Sequence, residues 1–442
     1  MTVPLSIQQD FFCTLDKGDS TGAFGAKHVV ASGWRLRGPI DVETLQGALD
    51  DVVERHEMLR TSIVRDAQER SQRIHPAAPV KLTLRDLSDT APEDRDVRAE
   101  QFFNEAESAE YHVRELPHLR ASLGLLGGND AMLVLVVHHI AADGWSMRLI
   151  IRDLATRYAA RQGHPVAELP AVRQYREYVA EQRESVTAAG VHKARAYWRE
   201  KLSGAEIATI RTDRPSAEAP GVYSDLRFLI GAETTSAMLQ VAKTLRSSPF
   251  MVLLAAYQLL LREKTGSEDV VAATFSSSRG IESFQDTVGA FLNFVPLRTD
   301  LSGCATFTEV VERTRTTCLQ AYTHEIPFPL IDEEAPGLML PSAAPDRDVI
   351  GFEVLQFPSA LDGAKLGGLE YAELRRRLLS QPVSCDIPDG VLWALDVLPS
   401  RETISSLKFD ANLFDEDTMW ELVHEFDRVL RTAVTDPDAP LP

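Results

Sequence analysis

Cysteine is scarce. The four residues, Cys13, Cys304, Cys318 and Cys385, stand far apart in a chain of 442 with no C-x-x-C pair, which argues against a zinc knuckle or a dithiol redox motif. In a reducing compartment they are expected as buried thiols, and none sits in a recognisable nucleophile context. Basic side chains are also outnumbered, 46 against 65 acidic, for a formal charge of −19. Such a chain repels a phosphate backbone and has no basic tract interleaved with aromatics, so nucleic acid is excluded as the expected partner. Long apolar runs are missing too: the longest, FMVLLAAYQLLL at 250–261, is twelve residues and contains Gln258, short of the ~20 that span a bilayer. It reads as a core helix. The opening MTVPLSIQQDFF has no charged segment followed by an apolar one, hence no secretory signal. These absences give the expectation of a cytoplasmic protein with no membrane partner.

What remains is the composition of a globular protein, 44% hydrophobic and 25% charged. Its length suits two domains or two lobes sharing an interface. DVETLQGALDDVVERHEMLR at 41–60 places Leu45, Leu49, Val52 and Val53 on one helical face behind an Asp41 N-cap. A weaker helical pattern follows near 94–110. Two apolar runs, LRASLGLL and AMLVLVVHH, flank a Gly-Gly-Asn-Asp turn and read as a hairpin. WSMRLIIRDLATRYAARQG then has helical spacing closed by Gly163. The proline-flanked stretch from 164 to 222 holds the expected lobe boundary, set between 176 and 177. Beyond it the spacing predicts helices at 233–246, 249–264, 306–322 and 415–434, and strands at 269–275, 349–357, 391–398 and 403–410. The stretch 291–300 reads as strand or loop.

The chemistry concentrates in HHIAADG, residues 138–144. Histidine is the side chain best suited to proton transfer near neutral pH, and the end of a buried strand holds it rigidly beside a cleft. Asp143, four residues after His139, is expected to organise the loop, because a carboxylate buried there needs a cation or several donors. Gly144 is expected to let the backbone turn into the helix, with its N–H free to face a substrate oxygen. A bare histidine pair before a capping aspartate also suits an ordinary packed strand end; the rest of the chain decides between the two.

HHIAADGWS resembles the HHxxxDG motif of nonribosomal peptide synthetase condensation domains, members of the chloramphenicol acetyltransferase-like superfamily. Collinear stretches strengthen the resemblance: LSIQQDFF at 5–12, RHEMLRTS at 55–62, YREYV at 175–179 (loosely), VGAFLNFVPLR at 288–298, HEIPFPLI at 324–331, and FDANLFDEDTM with TDPDAPL at the end. The likeness spans essentially the whole chain. Two departures stand out: Phe294 occupies a position where many members have threonine, and CDIPDG at 385–390 replaces a lysine-rich strand start. WSM after the motif disfavours an epimerising enzyme, and the intact first histidine disfavours a heterocyclising one.

The resemblance implies an α/β fold of two chloramphenicol acetyltransferase-like lobes in a V, 1–176 carrying HHxxxDG and 177–442 carrying the crossover and floor segment, with the site in the tunnel between them. His139 would face the acceptor nucleophile, His138 would support the loop from within, and Trp145 would pack under the junction. Asp143 would pair with an arginine: Arg279 first, with Arg55, Arg60 and Arg298 as alternatives. Asn293 would contact substrate or the crossover segment, or make a structural hydrogen bond. The implied reaction joins an aminoacyl or peptidyl thioester, carried on the phosphopantetheine of a partner carrier protein, to an amine or hydroxyl acceptor. The acceptor would be a small molecule or carrier-bound, and no cofactor or metal would be held by the enzyme itself. Because Met1 stands four residues before the first motif and Pro442 closes the last, the expectation is a free-standing enzyme over an excised domain. The competing readings are a non-catalytic recruitment module of the same fold and a coenzyme A-dependent acyltransferase; the missing DFGWG motif weighs against the latter. LRRRLL at 374–379 reads as a solvated face in preference to a docking patch for an acidic carrier protein.

Overall fold

The computed structural model describes residues 1–66, 68–187, 189–216, 221–280, 282–355, 359–382 and 390–441. CDIPDG therefore lies outside the described residues except for its final glycine. Two large sheets dominate. The first has six strands in the order 365–366, 369–373, 29–37, 130–138, 119–125, 81–86; the second has seven, in the order 293–300, 269–276, 350–355, 391–397, 403–410, 223–230, 381–382.

The run AMLVLVVH lacks alternation because the strand Asp130–His138 is covered on both faces. Leu133, Leu135 and Val137 join a core shared with the helices Val42–Arg55 and Gly144–Arg161, while Met132, Val134 and Val136 pack with Phe102 and Phe103 of the helix Arg95–Glu107. Asp41 caps its helix as expected, accepting from the Thr44 N–H at 2.6 Å. The apolar run at 250–261 lies in the helix Pro249–Thr265. That helix starts behind the Ser248 cap, ends at a left-handed Gly266, and is buried along its apolar length at the centre of the second core. Among the described residues no single helix is long and apolar enough to cross a membrane. Cys13, Cys304 and Cys318 are free thiols, and burial lifts Cys13 to about 11.

The two halves of the chain do not keep to their own sheets. Residues 369–373 return from the second half to pair with 29–37, Glu373 opposite Trp34, and Leu369 and Tyr371 are buried in the first core. Tyr178 and Val179, placed after the expected boundary, are buried there too, together with Phe284, Val288 and Phe291. The division at 176/177 thus cuts the helix Tyr175–Ser185, and three later pieces of chain complete the first core.

LRRRLL is not a solvated face. Leu374 N–H bonds Gly33 O at 2.8 Å, Arg375 pairs with Asp396, and Arg377 pairs with Glu107 at 2.5 Å while lying 3.7 Å above the Phe103 ring. Only Arg376 of the three is substantially exposed, and it pairs with Glu402. Burial alone would lift the Glu107 carboxyl, but Arg377, Lys408 and Arg227 together hold it well below the carboxylate range. The arginines reach inward because their carboxylate partners, distant in sequence, already lie there.

Candidate active site

The strand Asp130–His138 delivers the two histidines to opposite fates. His138 pairs with Val29 and is buried, its Nε2 3.1 Å from Gly25 O and its Nδ1 accepting from the Ile140 N–H at 3.4 Å. That pattern fixes the neutral tautomer with the proton on Nε2. Burial, helped by the neighbouring His28 and His118, pushes its pKa well below the ordinary histidine value. It does not line the cavity and supports the loop from behind.

His139 faces the other way, into a cavity of about 630 Å³ between the two sheets. Its backbone N–H bonds His28 O at 2.9 Å, and its ring stacks on His28 with centroids 4.9 Å apart and planes 20° apart. His28 is itself fixed, with Nδ1 2.8 Å from Ala23 O. Nδ1 of His139 is buried with no hydrogen-bond partner among the described residues, which leaves Nε2 as the nitrogen available to the cavity. The stack on His28 takes over the orienting task that a hydrogen bond at Nδ1 usually performs.

Asp143 is the N-cap of the helix Gly144–Arg161. Its Oδ1 accepts from Ser146 N–H and Ser146 Oγ, both at 2.7 Å, and its Oδ2 from Phe291 N–H at 3.3 Å. Of the four candidate arginines, Arg279 reaches it, Nη2 lying 3.0 and 3.2 Å from the two carboxylate oxygens. Arg279 also donates through Nη1 to Phe284 O and Thr287 O, and its guanidinium lies 4.0 Å above the Phe291 ring. The others serve elsewhere: Arg55 with Asp153 on the motif helix, Arg60 with His75 O, Arg298 with Asp269.

This buried pair bolts the motif to residues 279–293 of the second half, and neighbouring contacts reinforce it. Trp145 Nε1 donates to Gln285 O at 2.8 Å, and Arg152 pairs with Asp286 at 2.5 Å. Ser146 Oγ accepts from Gly289 N–H at 3.1 Å. Gly289 is required by closeness: a Cβ there would lie 2.1 Å from the Tyr175 ring, whose hydroxyl bonds Ser6 Oγ and Ala290 O. Asn293 does not line the cavity; it ties down residues 325–328, donating to Glu325 Oε1 and Ile326 O and accepting from Phe328 N–H. Gly144 has no left-handed backbone, and an added Cβ would meet no heavy atom within 4 Å. Turning the chain does not require it, since the Asp143 cap already does so; its missing side chain instead keeps cavity space open at the start of the helix.

Sequence reasoning left out His28 and Ser146. Ser146 lay within the quoted motif stretch, but His28 carries no local signal, because only the pairing of 29–37 with 130–138 brings it to His139.

Two lobes, each built on a mixed sheet, with a histidine at a strand–helix junction in the cleft between them, define the chloramphenicol acetyltransferase-like architecture. The condensation-domain family model matches residues 12–342, and the chain belongs to that family. It is similar to one of the linear gramicidin synthase polypeptides of Brevibacillus parabrevis, 30% identical over 448 residues and covering 99% of this chain but 8% of that protein. The chain thus spans less than a tenth of the length of such curated relatives. Among solved structures it is similar to SgcC5 from Streptomyces globisporus in complex with (R)-(-)-1-(2-naphthyl)-1,2-ethanediol and sucrose. That match has 44% identity and TM-score 0.95, and covers 99% of this chain and 100% of the other. The first condensation domain of the calcium-dependent antibiotic synthetase, at 22% identity and TM-score 0.80 over 100% and 98% of the two chains, shares the fold.

Proposed function

We propose that the protein condenses a carrier-tethered aminoacyl or peptidyl thioester with a small amine or hydroxyl acceptor, giving an amide or ester and a free thiol. The observation that carries the reading is His139, held by its stack on His28 with one nitrogen open to a cavity between the lobes. The acceptor nitrogen or oxygen attacks the thioester carbonyl as its proton passes to His139 Nε2. The C–S bond then breaks, and the departing sulfur takes that proton. Negative charge on the carbonyl oxygen is met by backbone N–H at the start of the helix Gly144–Arg161, where the helix dipole is positive. Alignment of two bound reactants supplies much of the rate, and no acyl-enzyme is required. The phosphopantetheine belongs to the partner carrier protein.

The diol in the SgcC5 structure supports a small hydroxyl acceptor, and with it a free-standing mode of action. The test supplies a loaded carrier protein with soluble alcohols or amines, or with the same groups on a second carrier. Saturable transfer to the soluble acceptor is expected; reaction of the carrier-bound acceptor alone would refute a small-molecule acceptor. The complex of the teicoplanin X-domain with OxyB lends support to a protein-binding reading, but the open His139 favours catalysis. Transfer from acyl-coenzyme A in place of the carrier would instead support the coenzyme A reading.

A further inference from the structure

The cavity runs along the strand Val29–Arg37, from His139 at one end to Glu373 near the other. Its wall holds many charges, and most are spent. Glu107 is shared by three cations, Asp225 pairs with Arg227, and Asp143 with Arg279. Glu373 differs: its carboxylate oxygens make no hydrogen bond or ion pair among the described residues. The charges around it are already engaged or balanced. Arg375 is held by Asp396, and Asp362 accepts the Glu373 backbone N–H at 2.9 Å. Arg148 of the motif helix is close enough to act on Glu373 through its charge but forms no ion pair with it. Two cations against two other anions leave the Glu373 charge uncompensated. We infer that Glu373 is a cation-recognition residue of the tunnel, seating a protonated amine that the substrate carries at a distance from the reacting carbonyl. The inference rests on the acyl-transfer reading of the same cavity and deepens it by naming a substrate class.

Register fixes the distance. His139 N–H bonds His28 O and Trp34 pairs with Glu373, so six residues, about 20 Å of strand, separate the two ends. Side chains stand roughly across the strand and lean along it by only a few ångströms, so the imidazole and the carboxylate lie on the order of 10–20 Å apart. An amine on the carbon next to the carbonyl is too close; the cation belongs on a long side chain or at the far end of a peptidyl or extended group. Burial lifts the Glu373 carboxyl to about 7, with Asp396 and Asp362 adding to the lift and Arg375 and Arg148 opposing it. A bound ammonium supplies the charge this site lacks.

The cation can arrive on the donor or on the acceptor, and two arms separate these sources. In the first, 8-(dimethylammonio)octanoyl and 9-methyldecanoyl thioesters on the carrier protein are compared with one acceptor. In the second, 8-(dimethylammonio)octan-1-ol and 9-methyldecan-1-ol are compared with one donor; the tertiary amine cannot itself be acylated. The wild type is expected to favour the cationic partner in one arm by about ten- to a hundred-fold in kcat/KM, the range of a charge-assisted hydrogen bond. That preference should grow from pH 6 to pH 8 and disappear in Glu373→Gln, read as the ratio of cationic to neutral kcat/KM within each protein. Equal use of cationic and neutral partners in both arms overturns the inference and leaves acyl transfer standing. No transfer of any donor by a folded wild type overturns the acyl-transfer reading and the inference with it.

Discussion

Replacing Asp143 by alanine tests whether the aspartate is architectural. The substitution removes acceptors for Ser146 N–H, Ser146 Oγ, Phe291 N–H and Arg279 at once. It strands a guanidinium whose side chain is 2% exposed, and breaking a buried pair in this way costs about 3–5 kcal/mol. Phe284 O and Thr287 O still accept from Arg279 Nη1, which holds the loss near the lower end; the lost helix cap adds about 1 kcal/mol. Thermal unfolding should fall on the order of 5–15 °C, with activity falling as the loop loosens. The reverse truncation, Arg279→Ala, should cost less, because Asp143 keeps three donors. The double variant should be less destabilised than the sum of the two singles, because losing both charges leaves none stranded. Calorimetry on the four proteins measures this. If Asp143→Ala abolishes transfer at an unchanged melting temperature, the residue has a chemical role and the reasoning fails.

His139→Ala should lower turnover about 10²–10⁴-fold with the fold intact, more for a hydroxyl acceptor than for an amine; a folded variant at near wild-type rate excludes the base. His28→Leu should lower kcat with little change in KM, because it removes the platform under His139 and touches no substrate; His28→Phe should recover part of the loss. His56, His118 and His138 are kept neutral by burial, His118 down to about 4. The unfolded chain therefore binds more protons below pH ~6.5, and stability should drop as pH falls from 7 towards 5; a flat stability in urea titrations over that range contradicts the assignment. Glu373 has the opposite sign: with its folded value raised to about 7, it costs stability as pH climbs from the ordinary glutamate range through 7. Glu373→Gln should be neutral near pH 4 and stabilising at pH 8, read as the difference in denaturation midpoint.

Local patterns were legible where one element carries its own signal. The apolar run into HHIAADG marked a buried strand, and the spacing after Gly144 marked the helix that it feeds. Naming Arg279 ahead of three other arginines relied on the family resemblance, since it stands 136 residues from Asp143. Illegible were the features made by distant pairing. Although VVASGWRLR at 29–37 is closed by Gly38-Pro39, its interior Gly33 and its two arginines do not read as a central strand, yet it carries the register that sets His139 and Glu373 apart. The strand Leu369–Glu373 is five residues long and follows two glycines, too short a pattern to reveal which sheet it joins. LRRRLL looked solvated because nothing nearby in sequence shows Glu107 or Asp396.

The return of residues 369–373 to the first sheet limits how such a chain can be recombined. A hybrid that took its first half from one relative and its second from another would seat a foreign strand beside Val29–Arg37, and foreign residues 284–291 in the first core. Ligand-binding groups at the cavity wall would then change with whichever parent supplied the strand. An exchange that preserves folding must carry 1–185, 279–293 and 365–373 together, three separated stretches inherited as one unit. Cut after the first half alone, the chain would leave the open edge of Val29–Arg37 as a template for the next copy, and aggregation is the expected fate.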